Sequence, residues 1–141
     1  MSKTLPSYTS GTAEKPLLGM TIGEMLDRTA EKHPDNEALV CLHQDIRWTY
    51  KEFVEKVDEA ARAFMAIGVK RGDRVGIWSP NRYEWTVTQF ATAKVGAILV
   101  NINPAYGVHE LQYALNLAGI TTLVTADSFK ASKYREMIYE L

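Results

Sequence analysis

The stretch Gly68–Asn81 reads Gly-Val-Lys-Arg-Gly-Asp-Arg-Val-Gly-Ile-Trp-Ser-Pro-Asn, and Lys94–Tyr106 reads Lys-Val-Gly-Ala-Ile-Leu-Val-Asn-Ile-Asn-Pro-Ala-Tyr. Each stretch contains a short apolar run of strand length that ends in turn-forming residues. One segment of helix length lies between the two runs. This layout is typical of a βαβ unit, in which a crossover helix joins two parallel strands. The two stretches therefore predict an α/β fold.

The flanking sequence extends the same alternation of strands and helices. We predict three parallel strands in one sheet, at Arg74–Trp78, Ala97–Ile102 and Thr121–Thr125. A hairpin is predicted earlier in the chain, from Ala38–His43 and Ile46–Trp48. Because the apolar runs of the parallel strands need cover on both sides, the fold class is α/β with a mostly parallel sheet and helices on both faces.

Helix boundaries are indicated by capping patterns. Thr21 and Thr49 are each followed three residues later by a glutamate, which completes a capping box. Gly68 is placed to end the second helix, and Gly96 is interpreted as allowing close passage from helix to strand. A last helix is predicted to begin at Asp127 or Ser128. Its predicted apolar face consists of Tyr134, Met137, Ile138 and Leu141.

Composition is that of an ordinary globular protein, with 46% hydrophobic and 23% charged residues. The formal net charge of −1 gives no electrostatic argument for nucleic acid or an anionic membrane as a partner. No apolar run approaches the roughly 20 residues that span a bilayer. The single cysteine, Cys41, fits a reducing compartment, and no arginine of a transit peptide precedes Arg28. We therefore expect a cytoplasmic protein.

An ordered set of short pieces is similar to the AMP-forming acyl-CoA synthetases, which are adenylate-forming ligases. Arg47–Tyr50 resembles the Thr-Tyr entry to a helix in that family, and Gly68–Val75 resembles its Gly-x-x-x-Gly-Asp-Arg-Val turn and strand. Asn81–Phe90, Ala93–Ala97 and Asn103-Pro104 resemble the next helix, strand and proline turn. The start of the chain is similar to the medium-chain branch at Ser7-Tyr8, Gly11-Thr12, Pro16-Leu17-Leu18 and Thr21-Ile22-Gly23.

The resemblance implies both a fold and a chemistry. Residues 1–20 are expected to be an extended leader, and residues 21–141 the N-terminal, incomplete α/β part of the large domain of an adenylate-forming ligase. That family activates a fatty or other carboxylic acid with ATP and Mg²⁺ to an acyl-adenylate, then transfers the acyl group to CoA. Its phosphate loop, its nucleotide-binding segments and its C-terminal lysine have no counterpart here. We therefore assign this chain no catalytic, cofactor-binding or metal-binding residue, and expect an inactive scaffold.

The leader contains a segment that resembles the family's phosphate loop. Tyr8–Pro16 reads Tyr-Thr-Ser-Gly-Thr-Ala-Glu-Lys-Pro. A phosphate loop needs small residues whose backbone N–H groups approach the phosphate oxygens. Ala13 lacks a hydroxyl, Glu14 places a carboxylate where the family has glycine, and Leu17 replaces a lysine. The segment also precedes the strands that it should follow, so we interpret it as a leader that packs on the domain.

A few other residues are candidates for function. Asn101 and Asn103 lie at the carboxyl end of a predicted strand, where α/β sheets bind ligands, although a structural role is the simpler interpretation. Cys41 and His43 could face the same way on a strand, but no third group suggests catalysis. The three histidines and one cysteine lack the spacing of a zinc site. Trp78 and Trp85 are interpreted as core or partner-facing aromatics.

Two alternatives to an enzyme part remain open at this point. A doubly wound domain can bind a nucleotide or an acyl group at a switch point of its sheet without performing chemistry. The chain could instead be an interaction protein, because unburied sheet and helix faces pair with other subunits. We expect exposed apolar surface near Tyr134 and Leu141 and, as a consequence, self-association.

Overall fold

Strands and helices alternate along the described part of the chain. The computed structural model describes residues 11, 14–15 and 17–141, so most of the leader, including most of the loop-like segment Tyr8–Pro16, lies outside the described residues. The elements are α1 (Ile22–Lys32), β1 (Glu37–Cys41), β2 (Ile46–Thr49), α2 (Tyr50–Ala66), β3 (Arg74–Trp78), α3 (Tyr83–Val95), β4 (Ile98–Ile102), α4 (Val108–Ala118), β5 (Ile120–Thr125) and α5 (Tyr134–Tyr139).

A parallel sheet with strand order β4-β3-β5 forms the centre of the fold. The register aligns Trp78 of β3 with Ile102 of β4 and with Thr125 of β5. Strands β1 and β2 pair antiparallel as a separate hairpin, and the residue before β2, Asp45, has a φ of +54°. The predicted α/β class, the three parallel neighbours and the hairpin are therefore confirmed.

The predicted helix caps are also present. Thr21 and Glu24 exchange their two capping hydrogen bonds at 3.2 and 2.7 Å, and Thr49 and Glu52 do so at 3.3 and 2.8 Å. Because such a box satisfies backbone N–H groups that have no partner in the first turn, it fixes where each helix begins. The residues of a capping box lie three apart in sequence, which is why the pattern predicted both starts.

Two glycines end helices in the left-handed conformation. Gly68 has a φ of +95°, and it and Val69 donate backbone hydrogen bonds to Met65 and Phe64, the pattern of a Schellman motif. Gly96 ends α3 with a φ of +79°. A Cβ at that position would also lie 3.2 Å from Cγ of Arg71, so both the positive φ and a close approach favour glycine there.

Two hydrophobic cores lie on opposite faces of the sheet. Side chains alternate along β3, so Val75 joins a cluster built from α1, α2 and α3, whereas Trp78 joins a cluster with Ile102, Leu111 and Tyr134. The second cluster brings α4 and α5 onto the other face. This arrangement confirms that helices cover both faces of the sheet.

The C-terminal helix differs from its prediction in two respects. It begins at Tyr134 rather than at Asp127 or Ser128, because Phe129 and Ser132 exchange two backbone hydrogen bonds of 2.9 Å in a tight turn that cannot continue as a helix. Tyr134 is also fully buried and not exposed, because its ring stacks on Trp78 with 3.7 Å between ring centroids.

None of the helices in the described ranges is long and apolar enough to cross a membrane.

Gly76 is required by the packing at the centre of β3. A Cβ at this position would lie 3.1 Å from side-chain carbons of Ile102, Ile120 and Leu123. Gly76→Ala is therefore expected to lower the free energy of unfolding by about 1–3 kcal/mol, because a packed core resists an added methyl group. Urea denaturation measures the change. Ala105→Gly, at an exposed loop position, is the matched control, and an unchanged midpoint for Gly76→Ala would contradict the packing argument.

Candidate functional site

The carboxyl end of β3 is a topological switch point. The chain leaves β3 into α3, which packs in the first core, whereas the chain leaves β4 and β5 into α4 and α5, which pack in the second core. Parallel sheets bind ligands where the connections from neighbouring strands diverge to opposite faces, because a crevice opens between them. Both junctions of β3, with β4 and with β5, are therefore candidate sites.

The junction between β3 and β4 is filled by structural contacts. The indole Nε1 of Trp78 donates a hydrogen bond of 3.1 Å to the carbonyl of Asn103. The side-chain oxygen of Asn103 accepts one of 2.9 Å from the backbone N–H of Ala105, as in an Asx turn. Asn101 lies apart from this junction, in a shallow groove beside Trp85. Asn103 thus has the structural role, and neither asparagine faces the open cleft.

The junction between β3 and β5 is open. A cleft of about 350 Å³ lies there, at the carboxyl ends of both strands. Ile77 and Val124 form its apolar floor. Its polar lining consists of Ser79, Arg82, Glu84, Thr125, Asp127 and Ser128. No local pattern marks these residues as a site, because they lie at or after the ends of two strands that are more than 40 residues apart in the chain.

An ion pair dominates the electrostatics of this cleft. Arg82 donates hydrogen bonds of 3.1 and 3.3 Å to the two carboxylate oxygens of Glu84. Burial raises the pKa of Glu84, but the hydrogen bonds from Arg82 and Gln44 outweigh it and leave the pKa below its usual value. The hydrogen bond to Glu84 raises the pKa of Arg82. Both groups are therefore charged at neutral pH, so this pair can bind polar groups but does not itself donate a proton as a general acid.

Gln44 links the hairpin to this cleft. Its side-chain oxygen accepts a hydrogen bond of 2.9 Å from the backbone N–H of Tyr83, the first residue of α3. Its amide nitrogen donates one of 2.9 Å to Glu84. The residue before α3, Arg82, makes no side-chain cap, so Gln44 supplies a cap from 39 residues away in sequence. No local pattern could have predicted this contact.

Removing this remote cap should destabilise the protein. Gln44→Leu leaves the N–H of Tyr83 without its partner, and losing a helix cap costs about 1–2 kcal/mol. Because Gln44 also helps to lower the pKa of Glu84, part of this stabilisation is present above about pH 4 and is lost as the pH falls through the folded-state pKa. The loss of stability caused by Gln44→Leu, measured by denaturation, should therefore be smaller at pH 3 than at pH 7.

The exposed Gln112→Leu on α4 is the control for this experiment and should change stability by less than about 0.5 kcal/mol. Equal effects of the two substitutions at pH 7 would show that Gln44 does not cap α3.

Cys41 and His43 are brought close together, but not on one strand. β1 ends at Cys41, and His43 lies in the 3₁₀ turn Leu42–Gln44. The thiol sulfur is 3.5 Å from Nδ1 of His43 and donates a hydrogen bond of 3.0 Å to the side-chain oxygen of Gln44. Within the described ranges, no group of three or more His, Cys, Asp or Glu side chains is arranged to hold a metal ion.

The fold and its matches define the class of protein. The family of AMP-binding enzymes matches residues 26–140, which is most of the chain, so the chain belongs to the AMP-binding enzyme family. It is similar to the mitochondrial medium-chain acyl-CoA ligases ACSF2 of Pongo abelii and Danio rerio, each 44% identical over 135 residues. The match covers 96% of this chain and 22% of each ligase, so the chain spans about a fifth of the length of these relatives.

Solved structures agree with this assignment. The N-terminal domain of FACL13 from Mycobacterium tuberculosis superposes with a TM-score of 0.73 at 30% identity, over 75% of this chain and 27% of that one. A fatty acyl-CoA synthetase of the same organism superposes with a TM-score of 0.71 at 25% identity, over 84% of this chain and 28% of that one. The predicted resemblance to the N-terminal part of an acyl-CoA synthetase is therefore confirmed.

Proposed function

We propose that this chain is the N-terminal α/β part of a fatty-acyl-CoA synthetase, with residues 1–20 as leader and residues 21–141 as scaffold. The whole enzyme would activate a carboxylic acid with ATP and Mg²⁺ to an acyl-adenylate and then transfer the acyl group to CoA. The observation that carries the proposal is 44% identity to medium-chain acyl-CoA ligases across 96% of the chain. These relatives give no support to the alternative of a stand-alone module.

The described residues by themselves do not fit ATP or Mg²⁺. They hold no cluster of three potential metal-ligating acidic, histidine or cysteine side chains. The N-terminus of α3 faces the switch-point cleft, but the N–H of Tyr83 is bonded to Gln44 and the guanidinium of Arg82 is paired with Glu84. A phosphate would have to displace both contacts and approach two carboxylates, Glu84 and Asp127. The part that we propose for this chain is to support the reaction rather than perform it.

A chimera tests the proposed function directly. The matching fifth of the zebrafish ligase is replaced by this chain, and ATP- and CoA-dependent thioester formation is measured with medium-chain acids. We expect activity within about tenfold of the parent ligase, because a scaffold with the same core and caps should support the same active site. A chimera that folds, as judged by circular dichroism, but forms no thioester would contradict the proposal.

The isolated chain should be inactive. Acid-dependent ATP–pyrophosphate exchange is expected to equal the no-protein control, because no phosphate cradle is formed by the described residues. The intact zebrafish ligase is the positive control for the assay. Exchange clearly above background with the purified chain would show that it carries a complete adenylation site, and the scaffold role would then be wrong.

We also propose a cytoplasmic location and self-association of the isolated chain. A reducing compartment fits the lone thiol of Cys41, although the relatives named above are mitochondrial proteins. Self-association is supported by exposed apolar side chains on α4, Tyr113 and Leu117, and at the end of the last helix, Tyr139 and Leu141. Cell fractionation tests the first proposal, and sedimentation at several concentrations tests the second. Protein in the mitochondrial fraction would contradict the proposed location. A single monomeric species at all concentrations would contradict self-association.

A further inference from the structure

One end of the central sheet carries a surface that is both basic and apolar. It lies where β3 begins and is here called the basic end. Its members are Arg62, Met65, Ile67, Lys70, Arg71 and Arg74. All six are exposed.

Charge in this protein is distributed unevenly. Residues 62–74, which carry the basic end, contain four Lys or Arg and one Asp or Glu, whereas the whole chain has 16 Lys or Arg and 17 Asp or Glu. In the described part of the chain, no carboxylate lies within 4 Å of the charged groups of the four basic-end cations. Asp73, which lies between these cations in sequence, accepts a hydrogen bond of 2.7 Å from the backbone N–H of Lys70. The basic end therefore has a local positive charge that the net charge of −1 conceals.

The same surface exposes large apolar side chains. Met65 is 55% and Ile67 is 68% exposed. Met65 lies on the exposed side of α2, and Ile67 stays outside the core because the chain reverses at Gly68 and buries Val69 instead. Arg62 and Met65 lie one turn apart on the exposed side of α2, so a cationic and an apolar group are neighbours there.

Backbone contacts hold this surface in one place. The N–H of Gly72 donates a hydrogen bond of 2.9 Å to the carbonyl of Gly96, and the stem of Arg71 lies over that glycine. The turn that carries Lys70 and Arg71 is thereby attached to the end of α3. The basic end is at the opposite end of β3 from the switch-point cleft, roughly 13 Å away for a five-residue strand.

The geometry points to an anionic lipid surface as the partner of the basic end. Cations attract acidic headgroups, and apolar side chains between them enter the boundary between headgroups and acyl chains. A nucleic acid would use the cations but leave Met65 and Ile67 exposed to water, which favours lipid as the partner. Docking in this way leaves the cleft facing away from the membrane. The inference does not depend on the proposed enzymatic function.

Vesicle co-sedimentation of the full chain tests the inference. Vesicles of phosphatidylcholine with 30% phosphatidylserine are compared with pure phosphatidylcholine at low salt. The variant R62Q/K70Q/R71Q/R74Q removes the cations, and R28Q/K32Q/K51Q/R135Q makes the same change in net charge at exposed positions elsewhere. M65S/I67S removes the apolar groups. Circular dichroism confirms that each variant is folded.

We expect binding to the anionic vesicles only. The basic-end quadruple variant should lose at least tenfold in affinity, M65S/I67S several-fold, and the control quadruple variant less than threefold. Binding should also weaken as salt is raised, because the cations are exposed. No binding to anionic vesicles, equal losses for the two quadruple variants, or binding to polyuridylate that M65S/I67S leaves unchanged would each overturn the inference.

Discussion

Trp78→Ala is expected to lower the free energy of unfolding by about 3–5 kcal/mol, the largest effect of any single substitution considered for this chain. The indole is fully buried, stacks on Tyr134 and donates a hydrogen bond to the carbonyl of Asn103. Its loss leaves a cavity between the sheet and α5 and an unpartnered carbonyl beside it. Since small domains are stable by only about 5–15 kcal/mol, the variant should be partly unfolded at 37 °C.

Urea denaturation followed by far-ultraviolet circular dichroism measures this effect. Trp78→Phe keeps a ring that can stack on Tyr134, but it removes the hydrogen bond and leaves a smaller cavity than the alanine variant. It should therefore lose roughly half as much stability as the alanine variant. Tyr113→Ala, on the exposed side of α4, is the control and should change little. A loss below about 1 kcal/mol for Trp78→Ala would mean that α5 does not pack on the sheet.

Lys94→Met is expected to lower the free energy of unfolding by about 2–3 kcal/mol. The ammonium group of Lys94 lies 2.5 Å from a carboxylate oxygen of Asp27 and 2.6 Å from one of Asp58, so one side chain joins α1, α2 and α3. Only 15% of the Lys94 side chain is exposed. Removing it leaves two neighbouring carboxylates without a cation. The effect is smaller than for a fully buried pair because both carboxylates remain about half exposed.

The pH dependence of this effect has a definite sign. Burial lowers the pKa of Lys94, but the hydrogen bonds to Asp27 and Asp58 outweigh it and raise the pKa above its usual value. The stabilisation is therefore complete below about pH 10.4 and is lost as the pH rises through the folded-state pKa. The difference in stability between the parent chain and Lys94→Met should accordingly be the same at pH 7 and 9 and smaller at pH 11.

Two further variants test the charge argument at Lys94. Lys56→Met removes an exposed lysine that pairs with Glu59, and it should cost less than about 1 kcal/mol. Adding D27N and D58N to Lys94→Met removes the stranded carboxylates and should recover part of the lost stability. If the triple variant is less stable than the single one, packing of the lysine stem and not its charge is responsible.

Much of the fold followed from local sequence alone. The capping boxes at Thr21 and Thr49 and the glycine at the end of α2 involve residues three to five apart, so their hydrogen bonds depend on little else. The alternation of apolar strands with amphipathic helices predicted the parallel sheet in the same way. The start of α5 was mistaken because the turn at Phe129–Ser132 competes with a helix that Asp127 could have capped.

The candidate site depended on contacts between distant parts of the chain. Gln44 reaches Tyr83 across 39 residues, and Lys94 reaches Asp27 across 67. The cleft exists because β3 and β5, which are not consecutive strands, lie side by side and send their chains to opposite faces of the sheet. The sequence by itself therefore determined the order of the elements, the starts of the helices that have a capping box, and the family. The tertiary structure alone decided which side chains meet, because strand order and packing bring together residues that no local spacing relates.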